Sequence, residues 1–227
     1  GRACVLTTHV HPDGDGIGSE VALARFLRAR GVAVTIVNRD VVPPSLSFVA
    51  TEGEIEIFDP ARHDDLIASA DVVVMLDNSD PQRLEDLEPR VRASRAFKVC
   101  IDHHPDPDPF WDLLLVRLEA SCTGMVVHEL LKTAGAALDT GTASALYMAL
   151  SSDTGRFRFG NTTAAAFRMA AELVEAGAAP PVIYGQLSER QTLGFLHLFG
   201  DMLASMEARS DGRLVLLRVP AGLVERH

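Results

Sequence analysis

The sequence predicts an α/β protein: a parallel sheet flanked by helices, then a helical linker and the first strand of a second, incomplete α/β domain. Three observations carry this. Short apolar, β-branched runs alternate with helix-like stretches through the first half of the chain, the order that right-handed βαβ crossovers produce. Acidic and imidazole side chains gather directly after those runs, where the loops of an open parallel sheet converge. After residue 123 the pattern turns helical, and it returns to strand character only near the end.

Taken in order, residues 3–7 form the first strand candidate, a polar segment Thr8-His9-Val10-His11-Pro12-Asp13-Gly14-Asp15-Gly16-Ile17-Gly18-Ser19 the following loop, and 19–30 an amphipathic helix. Strands at 32–37, 72–76 and 97–101 alternate with helices at 64–69 and 81–93, and 111–118 is a further strand candidate. Residues 124–134, 142–150, 163–176 and 181–207 are helical, the last broken near Ser188, with Gly135, Gly141 and Gly177 at helix ends. Residues 213–219 form a strand with nothing following to pair with it. The expected division is therefore a first domain over 1–180, a helical linker over 181–208, and the start of a second domain at 209–227. The first strand begins almost at residue 1, so the natural N-terminus is expected upstream.

Composition excludes several classes. An apolar content of 47% with 6% aromatics is ordinary for a water-exposed α/β protein. No run approaches the ~20 apolar residues of a membrane helix, and no secretory signal precedes the first strand. Cys4, Cys100 and Cys122 are odd in number and form no CxxC pair, which fits buried thiols in a reducing cytoplasm. A net charge of −10 gives a long phosphate backbone little general attraction. Small anions would bind where metal ions and a few arginines reverse the field locally.

Four clusters carry chemistry: His9, His11, Asp13 and Asp15 after the first strand; Asp77 after 72–76; Asp102-His103-His104 after 97–101; and Asp153 after the apolar helix 142–150. Each has a plain alternative. An aspartate after a strand commonly caps a helix or turn, and a histidine pair sits on many surfaces. A glycine-rich turn before a helix also suggests a dinucleotide loop, but the spacing here is GxGxG rather than GxGxxG, and Asp13 and Asp15 would repel a pyrophosphate. Gathered in one crevice, Asp13, Asp15, Asp77 and Asp153 bring four negative charges, which two divalent ions neutralise. Mixed carboxylate and imidazole donors suit Mn²⁺, with Mg²⁺ or Co²⁺ as alternatives. Two such ions ~3.5–4 Å apart would share a water, lower its pKa and clamp a phosphoryl group under in-line attack. The chemistry that follows is phosphoester or phosphoanhydride hydrolysis.

The order HxxPDGDxxGS, a strand-end Asp, Asp-His-His and then SDTG resembles the DHH phosphoesterase superfamily over residues 8–155. The segment 153–163 (DTGRFRFGNTT), with Ala120-Ser121-Cys122-Thr123 and 171–177 (AELVEAG), is similar to its nanoRNase/pAp phosphatase branch. The resemblance implies a two-metal enzyme that hydrolyses short oligonucleotides, linear dinucleotides or 3′-phosphoadenosine 5′-phosphate (pAp) through a metal-bridging hydroxide. It implies one ion on His9, Asp13 and Asp77, and a second on Asp15, Asp77, His103 and Asp153. His104 would face the scissile phosphate, and Asp102 would orient a neighbouring histidine. His11 stands where the family pattern has asparagine, as a substrate contact or a tolerated polar substitution. Of the arginines alternating with Phe157 and Phe159, Arg158 is the candidate phosphate contact and Arg156 a surface residue. Ser121 and Thr123 would contact substrate or cap the helix at Gly124. The family's glycine-rich, histidine-containing substrate loop has no counterpart before His227, so the metal half looks complete and the specificity half does not. His63, His128, His197 and His227 have no motif partners and are expected to be structural or solvent-exposed.

Rival readings are a manganese inorganic pyrophosphatase or exopolyphosphatase-like enzyme, disfavoured because Lys132 is the last lysine, and a sensor that binds a nucleotide without turnover. The expected partners are a short nucleotide or another small phosphate-bearing substrate, with no long nucleic acid and no membrane; a homodimer is allowed.

Overall fold

The computed structural model describes residues 2–190, 192–223 and 226. It falls into two compact units, residues 1–183 and 184–227.

The first unit is a six-stranded, wholly parallel sheet with helices on both faces. Its strands are β1 (Ala3–Thr7), β2 (Ala33–Asn38), β3 (Ile55–Ile57), β4 (Val72–Leu76), β5 (Phe97–Asp102) and β6 (Leu113–Val116), in the spatial order β3-β2-β1-β4-β5-β6. The chain winds outward one way from β1 and then the other way from β4. The carboxyl ends of β1 and β4 therefore flank the point where the winding reverses, the usual place for a crevice in such sheets. On one face Val5, Val37, Val73, Met75 and Cys100 bury against Ile67 of α2 (Pro60–Ser69), Val91 of α3 (Glu88–Ala93), and Trp111. On the other face lie α1 (Gly14–Arg28) and α4 (Thr123–Thr133), with α5 (Thr140–Asp153) packed on α1 and α6 (Ala164–Glu175) on α5. Helix α5 is buried nearly all round because its Ala, Leu and Met side chains meet α1, α4 and α6 at once.

The segment read as a glycine-rich loop is a helix. Helix α1 starts at Gly14, five residues before the expected position, with Asp13 as its N-cap. Gly14, Gly16 and Gly18 are there for close approach. A Cβ on Gly18 would stand 2.3 Å from the Ala145 carbonyl oxygen of α5, one on Gly14 1.9 Å from Ser152 Oγ, and one on Gly16 2.4 Å from Thr8 Oγ1. The three glycines let α1 settle against α5 and the end of β1, rather than closing a turn around metal.

Other departures are local. Residues 81–93 are not one helix: a 3₁₀ segment (Pro81–Leu87) breaks at Glu85, whose φ is 46°, before α3 begins. The stretch 155–159 is not extended. Gly155, Arg156 and Phe157 are successive left-handed residues, so Phe157 turns in to meet the rings of Tyr147 and Phe167 while Arg156, Arg158 and Phe159 stay exposed.

The second unit begins at the last residue of α7 (Pro180–Tyr184) and opens with a single π-turn (Gly185–Glu189), where the break near Ser188 was expected. It contains α8 (Leu193–Ala204) and an antiparallel hairpin of β7 (Glu207–Arg209) and β8 (Leu214–Leu216). The final strand thus does have a partner, formed where the expected helix was to end at residue 207 and the second domain to begin at 209. Phe195, Phe199, Leu203 and Val215 are exposed within this unit. Among the described residues no helix is long and apolar enough to cross a membrane.

Candidate metal centre

Apart from His11, the acidic and imidazole residues expected at the crevice lie at or just beyond the end of a strand or helix. Beyond β1, His9 is buried, with Nδ1 2.7 Å from the Val10 carbonyl and Nε2 3.5 Å from Asp77 Oδ2. Asp13 spends Oδ1 on the amides of Asp15 and Gly16, at 2.9 and 3.1 Å, and stays exposed. Asp15, in the first turn of α1, is fully buried. Its carboxylate accepts from the amides of Thr123 (2.6 Å) and Gly124 (2.8 Å), the first free N–H groups of α4. A carboxylate from one helix thus caps another, a favourable placement against the helix dipole. Cys122, at the N-cap position, contributes no side-chain cap.

Asp77 follows β4 directly and adopts φ 65°, its amide donating to the Ile101 carbonyl at 3.0 Å. Left-handed backbone at a residue other than glycine costs about 1–3 kcal/mol and concentrates at functional sites. The turn aims the Asp77 carboxylate into the crevice, where Thr123 Oγ1 donates to it at 3.0 Å. Thr123 is therefore not the helix cap expected for it but a support for Asp77. Asp102 closes β5, and its Oδ1 accepts from the amides of His103 and His104 and from His104 Nδ1 at 2.8 Å.

The electrostatics of the cluster are unbalanced. Burial, then the charges of Asp77 and Asp153, push Asp15 well above the usual carboxylate range. Burial and Asp13 do the same to Asp77. His103 Nδ1 lies 3.3 Å from the Ala120 carbonyl, which fits a donated proton and leaves Nε2 with its lone pair. That Nε2 is buried without a hydrogen bond, 3.2 Å from Asp153 Oδ2, 3.7 Å from Asp77 Oδ1 and 3.8 Å from Asp15 Oδ2. An orphaned imidazole nitrogen among three carboxylates is the environment a divalent cation completes. Donor atoms of His9, Asp13 and Asp77 lie within 4.8 Å of one another, as do those of Asp15, His103 and Asp153, and those of Asp77, His103 and His104. The donor set fits a pair of ions, with Asp77 touching both neighbourhoods.

The other expected substrate contacts, His11, Ser121 and Arg158, are more scattered, and among the described residues none of them makes a hydrogen bond or ion pair to this cluster. His11 stands at the rim with its side chain 94% exposed and its amide donating to Asp40. Ser121 is buried, its hydroxyl donating to the Asn161 carbonyl at 2.6 Å. Arg158 folds back onto the Gly155 carbonyl through Nε. His63 is a buried structural residue whose Nδ1 accepts from the Asp59 amide. His128 is buried beside Glu172, and His227 lies outside the described residues. Two residues went unnoticed in the sequence: Arg83, which reaches His9, and Asn161, whose side chain donates to the carbonyls of Ser121 and Asp153.

The N-terminal domain of the DHH family matches residues 3–150. The chain belongs to the DHH family. Among DHH-family relatives, the bifunctional oligoribonuclease and PAP phosphatase NrnA of Bacillus subtilis is 31% identical over 211 residues, covering 92% of this chain and 64% of that protein. The protein of the same name from Thermus thermophilus is 30% identical over 215 residues, covering 95% of this chain and 62% of the relative. The chain therefore spans less than two thirds of the length of either. A solved structure of an exopolyphosphatase-related protein from Bacteroides fragilis superposes with a TM-score of 0.92 at 27% identity, over 99% of this chain and 67% of that one. Its likeness confirms the parallel α/β architecture expected from the sequence.

Proposed function

We propose that this DHH-family chain is the catalytic part of a two-metal phosphoesterase. Its substrates would be short oligonucleotides, linear dinucleotides or pAp, its products mononucleotides and phosphate, and its natural ion Mn²⁺. The observation that carries the reading is His103 Nε2, buried and unbonded among Asp15, Asp77 and Asp153, beside a second triad of His9, Asp13 and Asp77. On this reading His9, Asp13 and Asp77 hold one ion, and Asp15, Asp77, His103 and Asp153 the other. The ions supply an acidified water and positive charge against the phosphoryl oxygens.

The protein's own groups do the rest. Asp102 holds His104 through Nδ1, so Nε2 is the ring nitrogen left for substrate. The same hydrogen bond, working against partial burial, raises His104 above its ordinary value. That direction suits a group that would hand a proton to the leaving oxygen. The related oligoribonuclease and PAP phosphatase names support the substrate class. On the same reading residues 1–180 carry the metal chemistry, 181–208 act as a linker and 209–227 belong to a substrate-holding part. Three buried free cysteines are consistent with a reducing cytoplasm.

The test is Mn²⁺-dependent hydrolysis of pAp, a di- or trinucleotide and pyrophosphate, run in parallel. Turnover of the first two classes with little on pyrophosphate supports the proposal. Preferential turnover of pyrophosphate, or tight nucleotide binding with no turnover, overturns it.

A further inference from the structure

We infer that Arg83 is a substrate-binding residue of this site, receiving a phosphoryl group of the substrate once His9 is engaged with metal. The inference rests on the two-metal reading above and names a contact that reading does not contain.

Arg83 lies in the 3₁₀ segment after β4 and grips the first loop twice. Its carbonyl accepts from the Val10 amide at 3.0 Å, and its Nη2 stands 3.0 Å from His9 Nδ1. The backbone bond fixes where Arg83 sits, while the side chain itself is exposed. The second contact conflicts with another. His9 Nδ1 is also 2.7 Å from the Val10 carbonyl, an acceptor, and one ring nitrogen cannot donate to that carbonyl while accepting from a guanidinium. The proton distribution decides between them. Engaged with metal through Nε2, a neutral His9 would carry its proton on Nδ1, and that proton would satisfy the Val10 carbonyl. In that form the guanidinium faces an N–H and has no acceptor on His9.

Arg83 has no carboxylate to turn to: among the described residues none stands in ion-pair range of it. Arg39 differs. It is paired with Asp40, Glu85 and Asp86, and is therefore neutralised in place. An exposed, uncompensated guanidinium in contact with a proposed metal ligand suits the non-bridging oxygens of a phosphoryl group, which it can meet with two parallel N–H donors. In a chain of net charge −10, such a residue also supplies the local field a small anion needs.

The experiment compares Arg83→Ala and Arg83→Lys with the wild-type protein by three readouts. Mn²⁺ binding, followed by electron paramagnetic resonance, is expected to keep its stoichiometry and affinity in both variants. Inorganic phosphate and AMP, titrated calorimetrically into the Mn²⁺-loaded proteins, are expected to bind about 10–100-fold more weakly in Arg83→Ala, with partial recovery in Arg83→Lys. For pAp, KM should rise by a similar factor with kcat changed much less. Loss of an Mn²⁺ site in Arg83→Ala would make Arg83 a His9-positioning residue and overturn the inference, as would unchanged phosphate and AMP affinity. If the wild-type protein turns over none of the substrates, the functional reading fails while the anion titration still decides the role of Arg83.

Discussion

Asp13 and Asp15 are two residues apart in sequence and opposite in environment. Asp15 is fully buried, its carboxylate held by the amides of Thr123 and Gly124 and packed against Asp77, Asp153 and His103. Asp13 is exposed and caps its own helix, and the nearby His9 touches the exposed Arg83. The candidate centre thus has a buried side at Asp15 and a rim side at Asp13, with His9 and Asp77 buried behind the rim. The buried side couples charge to folding, because Asp15 cannot lose a neutralising partner without cost. The rim side, at Asp13, is placed for exchange of ions and approach of substrate.

Asp77 belongs to both sides, so its loss should be the most damaging. Asn is the informative replacement, since it tolerates the left-handed backbone at φ 65° and removes only the charge. Asp77→Asn is expected to abolish turnover, by about 10³-fold or more on the scale of losing a key electrostatic group, and to reduce Mn²⁺ stoichiometry from two toward none. Retention of two ordered ions in a metal-soaked crystal would sink its shared role.

The two sides are separated by the pair Asp15→Asn and Asp13→Asn. Asp15→Asn leaves one amide of α4 without its carboxylate oxygen but removes a buried charge that Asp77 and Asp153 repel, so the protein should lose the inner ion while its metal-free form gains about 1–2 kcal/mol of stability near neutral pH. Asn is as good an N-cap as Asp, so Asp13→Asn should keep its stability within about 0.5 kcal/mol and lose affinity only at the rim. Chemical denaturation in chelator, paired with Mn²⁺ titration, measures both. Equal stability changes would mean the buried and rim sides do not differ as argued. Thr123→Val is a gentler probe of the buried side: it removes the hydroxyl bonded to Asp77, and Mn²⁺ affinity should fall about 10–100-fold with the fold intact.

The same contrast explains what was legible in the sequence. β1 and β4 are apolar runs buried over nearly their whole length and β5 is buried over its last three residues, and each leads into an acid or histidine, so strands and candidate ligands were visible together. The start of α1 was hidden because glycine is a poor helix former, and only the close approach to Ala145 and Ser152, far along the chain, favours it there. β3, with the sequence Ile-Glu-Ile, is too short to show a period. Glu207–Arg209 has helical propensity and becomes a strand by pairing with Leu214–Leu216. In the GRFRF segment the alternation of Arg and Phe is compatible with extended backbone, but three left-handed residues and the Tyr147–Phe157–Phe167 contacts fold it otherwise. Arg83 carries no local signal, since its relation to His9 exists only once β1 and β4 lie side by side.

The smallest effect on activity, and a distinct one on stability, is expected from Glu20, behind the buried side on α1. Its Oε2 accepts from Asn38 Nδ2, while Oε1 is buried with no partner; Asn38 Oδ1 in turn holds the Thr8 amide at the entrance to the first loop. Burial pushes the Glu20 carboxyl from 4.5 up to about 8, only partly offset by Asn38. The folded protein therefore keeps a proton that the unfolded chain releases near its ordinary value. Between those two pH values the native state binds more protons, so stability falls as pH rises through the window and levels off above it. The loss is on the order of a few kcal/mol. Glu20→Gln keeps the shape and the acceptor for Asn38 but cannot ionise. Its melting temperature in chelator should vary less between pH 5 and about 8 than that of the wild-type protein, the part contributed by Asp15 and Asp77 remaining, while Mn²⁺ affinity at low pH is unchanged. Parallel pH profiles for the two proteins would show that Glu20 ionises in the folded state as easily as in the unfolded one, and that the interior behind Asp15 is less closed than its burial implies.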